Sequence, residues 1–552
     1  MQEHANLPLA MIETVTAAAD WVIILPMILA LMGSALLLML RKSRGFNALL
    51  AVLFVIAIIA SEAVLFGRVM AEGPVSMTMG RWLPPFGISF TADIFGAGFA
   101  LTSALATLVV IVYMQMDREP GDNIDGQLAM VLLLLAGVTG SFLTGDFFNL
   151  YVWFEVMLIA SFGLLVLGGS QMQIDGAVKY GFLNFLATTL FLMALGLTYA
   201  LLGTLNMADI IGRAPQANQA VLAGIAALLI LAFGMKAAAF PVNAWLPASY
   251  HAPPAAVSAL FAGLLTKVGV FALLRAMVVL FPETRTLLEP VLIAIAAATL
   301  VIAPLGAIAE TNLRRAIGFI VIGGIGVIVA GIAMPSVTGV AGSGFYIFHA
   351  ILTMTALYLI AGLVERVTGE TDSRNMGGLY AANSPLSIIF LVAVLAAAGI
   401  PPFLGFWPKL LLLEAGLERA GISAAEGGTV DWSGIVLVGA LLINAFLTLV
   451  GGTRLWAHIF WRAGREGDQS EHQAQTIRKL TVKESWLGLG ATMVLVAGIA
   501  LAGLLPDGLF ATARSGAGDL IDPSRYIAAV GLPDEAGPVD LDAELGAEEG
   551  TP

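Results

Sequence analysis

Lys236, Lys267, Lys409 and Arg454 all fall inside long apolar stretches of this 552-residue sequence, and Glu155 lies deep in another. A charged side chain at mid-bilayer costs at least ~2.5–3.5 kcal/mol, so four such cations cost on the order of 10 kcal/mol before pairing. Snorkelling explains Arg454, which lies near the end of its stretch. It does not explain Lys236 or Lys267, which are too deep to reach headgroups. Glu155, in NLYVWFEVMLIASFGLL, needs a partner, and a lysine from a neighbouring helix is the natural one. A lysine beside the carboxylate keeps it ionised, and moving that lysine away lets it take a proton. Buried lysines in turn release protons more readily than exposed ones. One Glu and three Lys in succession therefore form a proton wire whose occupancy is set by distances between charges.

Other titratable residues are less deeply placed. His251, in ASYHAPPA, and His349, in FYIFHAILTMTALYL, are each either a hydrogen-bonded core residue or a relay between Lys267 and Lys409. Asp93 and Asp146 lie near the ends of apolar stretches, where an interfacial position or a subunit contact accounts for them. Lys179 opens another stretch, facing headgroups or gating entry to Glu155.

The elements that must hold these groups are membrane helices. The sequence is 59% hydrophobic and 12% charged, where a soluble domain carries roughly a quarter charged residues. Apolar runs of about 20 residues, enough to cross roughly 30 Å of hydrocarbon, place fourteen spans at 20–40, 46–70, 90–116, 127–145, 147–169, 177–204, 220–246, 254–280, 288–309, 313–334, 344–365, 384–416, 432–461 and 485–505. Of the 26 Lys and Arg, 14 are assigned to connections on one side and 8 to the other, and the four named above remain inside spans. The richer side is expected in the cytoplasm, with both termini outside. Glu3, Glu13 and Asp20 in a segment without Lys or Arg argue against a cleaved signal peptide. There is no cysteine, and the five histidines lack metal-ligand spacing, so no cofactor or metal is expected. No basic patch calls for nucleic acid. Much of the net charge of -12 lies in the acidic tail from Pro533 to Pro552, whose composition reads as disordered.

Spans 7 and 12 share an irregularity. Pro241 and Pro247 follow Lys236 in GMKAAAFPVNAWLPASYHAPPAAV, and Pro401, Pro402 and Pro408 precede Lys409 in AAAGIPPFLGFWPKLLLLEAGL. Proline removes a backbone donor and clashes with the preceding turn, so both helices should break. Broken backbone at membrane depth must be buried in protein or line a wet cavity. Matching interrupted helices in two halves point to an inverted repeat. The expected organisation is spans 1–3 in residues 1–126, one five-helix repeat in 127–280, a second in 281–462, then a loop, span 14 and periplasmic end in 463–532, and the tail in 533–552.

These segments also carry a resemblance. FPVNAWLPASYHAPPAAVSALFAGLLTKVGVFALLR (240–275) resembles the signature of the antiporter-like subunits shared by Mrp-type antiporters, respiratory complex I and membrane-bound hydrogenases. GDFFNLYVWFEVMLIASFGLLVLGG (145–169) and FYIFHAILTMTALYLIAGLVERVTG (345–369) are more narrowly similar to the D subunit of the Mrp-type Na+/H+ antiporter. The chain ends soon after span 14, which favours D over the larger A subunit. The resemblance implies an all-α membrane protein of about fourteen helices with two inverted five-helix repeats, working beside other membrane subunits. It also implies that Glu155 is the family's span 5 carboxylate, Lys236 and Lys267 its span 7 and span 8 lysines, and Lys409 its span 12 charged residue. Two departures stand out. Thr353 and Met354 occupy positions where relatives often carry a lysine after the span 11 histidine, and Gly323 and Gly324 replace polar residues of span 10. Both leave Lys267 and Lys409 to be bridged by His349 and water.

The preferred reading is therefore a proton-translocating subunit of a multisubunit Na+/H+ antiporter rather than an enzyme. The alternatives are a proton-pumping module of a complex I-type redox enzyme or membrane-bound hydrogenase, and an inert scaffold whose charges serve assembly.

Overall fold

The computed structural model describes residues 16–42, 44–116, 126–421, 430–462 and 477–532. The acidic loop between spans 3 and 4 and the acidic tail lie outside the described residues. Among those residues, eleven helices are long and apolar enough to cross a membrane. Three shorter apolar helices complete a set of fourteen, as the hydropathy pattern requires. They are α1 (Leu25–Met39), α2 (Gly45–Glu72), α3 (Ile94–Met114), α4 (Gln127–Leu143), α5 (Phe147–Val166) and α6 (Gln171–Leu202). After these come α7 (Gln219–Ala237, resuming at Trp245–Ser249), α8 (Ala255–Leu280), α9 (Pro282–Ala309), α10 (Leu313–Ala333) and α11 (Val337–Thr368). The set ends with α12 (Ser384–Ala398, resuming at Phe406–Arg419), α13 (Trp432–Trp461) and α14 (Glu484–Leu504).

The breaks fall where the prolines put them. The first half of α7 ends on Ala238 in the left-handed region (φ 62) and the first half of α12 ends on Gly399 (φ 83). A side chain in that region is disfavoured, so Ala238 marks a position that the surrounding packing holds. Exposure sorts the helices into layers. The candidate span of α8 is wholly buried and α10 nearly so, whereas α2 and α6 turn most of their surface outward. An apolar outward face without polar residues suits contact with lipid.

A hairpin of β1 (Val75–Thr78) and β2 (Ser89–Ala92) joins α2 to α3. After α14 the chain forms two shorter helices, α15 (Asp507–Ile521) and α16 (Ser524–Val530), which pack on the helices and on this hairpin.

One buried ion pair ties this end together. Arg275, near the end of α8, meets Asp93 at 2.5 Å with both side chains 3% exposed. Asp93 also caps α3 by accepting the Gly96 N–H at 2.7 Å, and the Arg275 guanidinium lies 5.3 Å from the Tyr526 ring centroid of α16. Arg275 is thus a further buried basic residue inside a span, beyond the four singled out from the sequence, and it balances Asp93. Removing one partner of a buried pair typically costs 3–5 kcal/mol. Arg275→Ala is therefore expected to destabilise the protein by about 3–5 kcal/mol, with Arg275→Lys closer to the parent, read by thermal unfolding of the detergent-purified protein.

Candidate functional site

Lys236, Lys267, His349 and Lys409 are all buried, at 5%, 1%, 0% and 4% exposure. They lie on α7, α8, α11 and α12, helices that pack in that succession. Their surroundings differ in a way that decides what each can do.

At the Lys236 end the neighbours are polar and aromatic. Its ammonium lies 5.0 Å from the Phe154 ring centroid, a cation–π arrangement. Glu155, one residue on, is half-buried and acts on Lys236 through space without a direct ion pair. Lys236 also lines a cavity of ≈ 10 Å³ with Tyr180, Asn184, Trp245 and Leu265, about the space of one water molecule. Tyr180 hydroxyl and Ser161 hydroxyl are hydrogen-bonded at 2.6 Å, and the Trp245 indole N–H closes the α7 break on the Met235 carbonyl at 3.0 Å. Gly269 of α8 lets the backbones meet, since a Cβ there would lie 2.9 Å from the Ala237 nitrogen.

Among the described residues, Lys267 and Lys409 have no anion beside them. Lys267 Nζ donates to the Ala262 carbonyl at 2.6 Å and to the Thr266 hydroxyl at 3.2 Å. Ala262 belongs to a π-helical turn, Phe261–Leu265, an irregularity frequent at functional sites. Lys409 Nζ donates to Ala398 at 2.8 Å, to Ala397 at 3.3 Å and to the Asn444 side-chain oxygen at 3.4 Å. Pro401 and Pro402 stand four residues beyond those two alanines and lack the N–H groups that an unbroken helix would offer them. The ammonium takes the acceptors that the prolines release.

His349 stands between these lysines, within electrostatic reach of both. Its Nδ1 is paired with the Thr353 hydroxyl at 3.1 Å, which orients the imidazole. Nε2 is buried without a partner among the described residues and faces Gly405 in the α12 break. Met354 is fully buried.

The other candidates sit apart from this succession. His251, past the end of α7, pairs its Nδ1 with the Pro247 carbonyl at 2.9 Å. Burial holds it below its ordinary pKa, the Pro247 bond opposes that, and Arg315, Arg314 and Lys179 reinforce it. Lys179 is exposed and paired with Asp175 at 2.5 Å. Asp146 caps α5 by accepting the Asn149 N–H at 2.7 Å. Arg454 is exposed and donates to the Ile308 carbonyl at 3.1 Å.

Two buried polar residues were overlooked by the sequence reasoning. Glu62 in α2 is fully buried, so Glu155 is not the one acid deep in a span. Its Oε1 accepts from the Thr139 hydroxyl at 3.1 Å. Asn444 in α13 is the second, and an amide in an otherwise apolar run was its signal. The glycines of α10 also find an explanation. A Cβ on Gly323 would meet the Asn444 nitrogen at 2.9 Å, and one on Gly324 the Tyr346 ring at 3.1 Å. Polar groups from α13 and α11 occupy the space that side chains on α10 would fill. Among the described residues, no group of three or more His, Cys, Asp or Glu is placed to hold a metal ion.

Known proteins share this fold. A family model described as NADH:quinone oxidoreductase/Mrp antiporter, TM, matches residues 144–429. The sequence is 34% identical over 515 residues to the D subunit of the Na(+)/H(+) antiporter of Bacillus subtilis (strain 168), spanning 92% of this chain and 99% of that one. The chain belongs to the family of Na(+)/H(+) antiporter D subunits. A second family member, from Alkalihalophilus pseudofirmus, is 32% identical over 510 residues, with 92% and 99% covered. Among solved structures, a chain of the Mrp complex from Dietzia sp. DQ12-45-1b superposes with a TM-score of 0.82 at 26% identity, over 93% of this chain and 100% of that one. A chain of respiratory complex I from Thermus thermophilus, 22% identical with a TM-score of 0.75 over 90% and 99%, shares the fold.

The α11–α12 contact in this family member makes a direct prediction. A Cβ at Gly405 would lie 2.0 Å from the Ala396 carbonyl oxygen and 2.8 Å from His349 Nε2. Gly405→Ala is expected to lose about 1–3 kcal/mol through overpacking, read by thermal unfolding beside Gly212→Ala, whose Cβ meets nothing within 4 Å.

Proposed function

We propose that this chain is the proton-translocating subunit of a multisubunit Na+/H+ antiporter. In this reading protons pass along Glu155, Lys236, Lys267, His349 and Lys409, and proton uptake drives sodium export. The observation that carries the reading is the succession of four buried titratable groups on adjacent helices, of which Lys267, His349 and Lys409 are bonded to neutral or main-chain partners. Buried charges without a structural counter-ion mark ion pathways by default. A scaffold would gain nothing from three such lysines, and apolar residues would hold the same helices at lower cost.

The physical cycle follows from the two ends. At the first, the Lys236 ammonium sits within electrostatic reach of Glu155 and lines a space able to take one water. When Glu155 is protonated, Lys236 loses the charge that favours its ammonium and releases a proton inward. Each released proton moves the next lysine between a charged form, held by carbonyls, and a neutral one. His349 links Lys267 to Lys409 because a ring with two nitrogens accepts on one side and donates on the other. Lys409, at the unwound part of α12, hands the proton to the outer half of the protein.

The chain's similarity to a Na(+)/H(+) antiporter subunit and to a chain of the Mrp complex supports the coupling to sodium and the assembly with further membrane subunits. The distribution of Lys and Arg supports a cell-membrane orientation with both termini outside. The paired breaks of α7 and α12 support two repeats, in residues 127–280 and 281–462.

The test is transport by the complete complex in vesicles, followed with a pH-sensitive dye. Glu155→Gln, Lys236→Ala and Lys409→Ala are each expected to lower antiport at least about tenfold, the effect of roughly 1.4 kcal/mol on the limiting step, with the complex still assembled. His349→Ala is expected to cut transport strongly, and Met354→Leu to leave it near the parent rate. Parent-rate antiport in assembled Lys409→Ala would remove α12 from the path.

A further inference from the structure

Asn444 has two contacts that no other spanning residue combines among those described. Its side-chain oxygen accepts from Lys409 Nζ at 3.4 Å, and its nitrogen donates to the Leu300 carbonyl of α9 at 2.9 Å. Leu300 stands four residues before Pro304, which lies inside α9. The proline has no N–H to offer it, so this carbonyl is free for the amide. The neighbouring residue Thr299 accepts the Phe240 N–H of the α7 break at 3.1 Å. Consecutive residues of one helix thus hold the α7 break and, through Asn444, the lysine at the α12 break.

The Leu300 contact decides which way the amide points. An amide has a donor end and an acceptor end, and turning it over would set two oxygens against each other at Leu300. The oxygen must therefore face Lys409. An ammonium has three protons, and Ala397, Ala398 and Asn444 are three acceptors. The neutral amine has a lone pair that finds no donor from an amide held this way. The titratable group facing Lys409 from α11 is His349.

We propose that Asn444 is a positioning residue for proton transfer at Lys409: its amide, oriented by the carbonyl that Pro304 releases, completes the cage that keeps the proton on this lysine. This rests on the reading of Lys409 as a relay group. Asn444 neither takes nor gives a proton. It sets how readily the lysine reloads.

The experiment measures antiport by the complete complex against pH, with assembly checked for every variant. Asn444→Leu removes one of three acceptors from a charged donor, and the alkaline limb of the profile should move to lower pH by about one unit, a tenfold change in proton occupancy. Asn444→Asp sets a carboxylate beside the ammonium, and the limb should move to higher pH. Pro304→Ala returns an N–H to the Leu300 carbonyl and frees the amide to turn, so its limb should move as in Asn444→Leu but less. If Asn444→Leu does not assemble, the opposite shifts in Asn444→Asp and Pro304→Ala carry the test. Limbs that stay in place, or move in one direction in all variants, overturn the proposal. With antiport lost in Lys409→Ala, that result overturns the role of Asn444 alone. Antiport retained in Lys409→Ala overturns the relay reading and this one together.

Discussion

Hydrogen bonds from buried ammonium groups to main-chain carbonyls set the terms for the rest of this structure. An ammonium in hydrocarbon must find acceptors, and a carboxylate would be the strongest. A carboxylate at contact distance would also hold the charge in place, because breaking a buried pair costs several kcal/mol. Carbonyl dipoles solvate the ion without neutralising it. Helices ordinarily use up their carbonyls, so such acceptors have to be released. Pro401 and Pro402 release Ala397 and Ala398 for Lys409. The π-turn of α8 supplies Ala262 to Lys267. Pro304 releases Leu300 for Asn444. Irregular backbone and buried charge are thus one feature, and each accounts for the other.

A broken helix in a bilayer has to be supported from its sides, and this determines how the bundle packs. The breaks of α7 and α12 are held by groups on neighbouring helices: Thr299 on α9 takes the Phe240 N–H, and the Trp407 indole at the second break donates to the Gly503 carbonyl of α14 at 2.7 Å. α8 and α11, which carry Lys267 and His349, and α10 beside them are the most buried of the candidate spans, while α2 and α6 present apolar faces outward. The glycines follow the same logic. Gly269 and Gly405 lie where a backbone must approach Lys236 or His349, and Gly323 and Gly324 lie where Asn444 and Tyr346 enter.

Much of this was legible in the sequence because the signals are local and large. Fourteen apolar runs give fourteen helices, and Pro241 and Pro401–Pro402 give the breaks. The depth of Lys236, Lys267 and Lys409 in their runs is matched by burial of all three. What escaped depended on which faces meet. Arg275 was within eight residues of Lys267 in the same run, yet its pairing with Asp93 depends on where α3 begins beside the end of α8. The burial of Glu62 depends on α4, whose Thr139 stands opposite it. Gly323 and Gly324 read as losses because a sequence shows which side chain is gone and not which neighbour has filled its place. Sequence spacing also made His251 and His349 equal candidates, whereas three-dimensional placement sets His251 among Arg314, Arg315 and Lys179 and His349 near Lys267 and Lys409.

The two ends of the succession are built differently, and that difference would give the proposed path a direction of control. Lys236 has an anion in reach and room beside it, so its charge depends on the state of Glu155, which is itself half-exposed. Lys409 has no anion among the described residues and a filled cage, so its charge depends on the shape of the α12 break and on the amide of Asn444. The first end therefore responds to charge and the second to geometry. In the proposed path a change in protonation at Glu155 would be felt electrostatically along the row, weakening with distance. It moves a proton at the far end only where the local cage is balanced closely enough for a modest field to tip it. Carbonyls and a neutral amide meet that condition, and a fixed carboxylate at Lys409 would not. In the proposed path, a cage of neutral acceptors at the far lysine is what would let a distant carboxylate govern it.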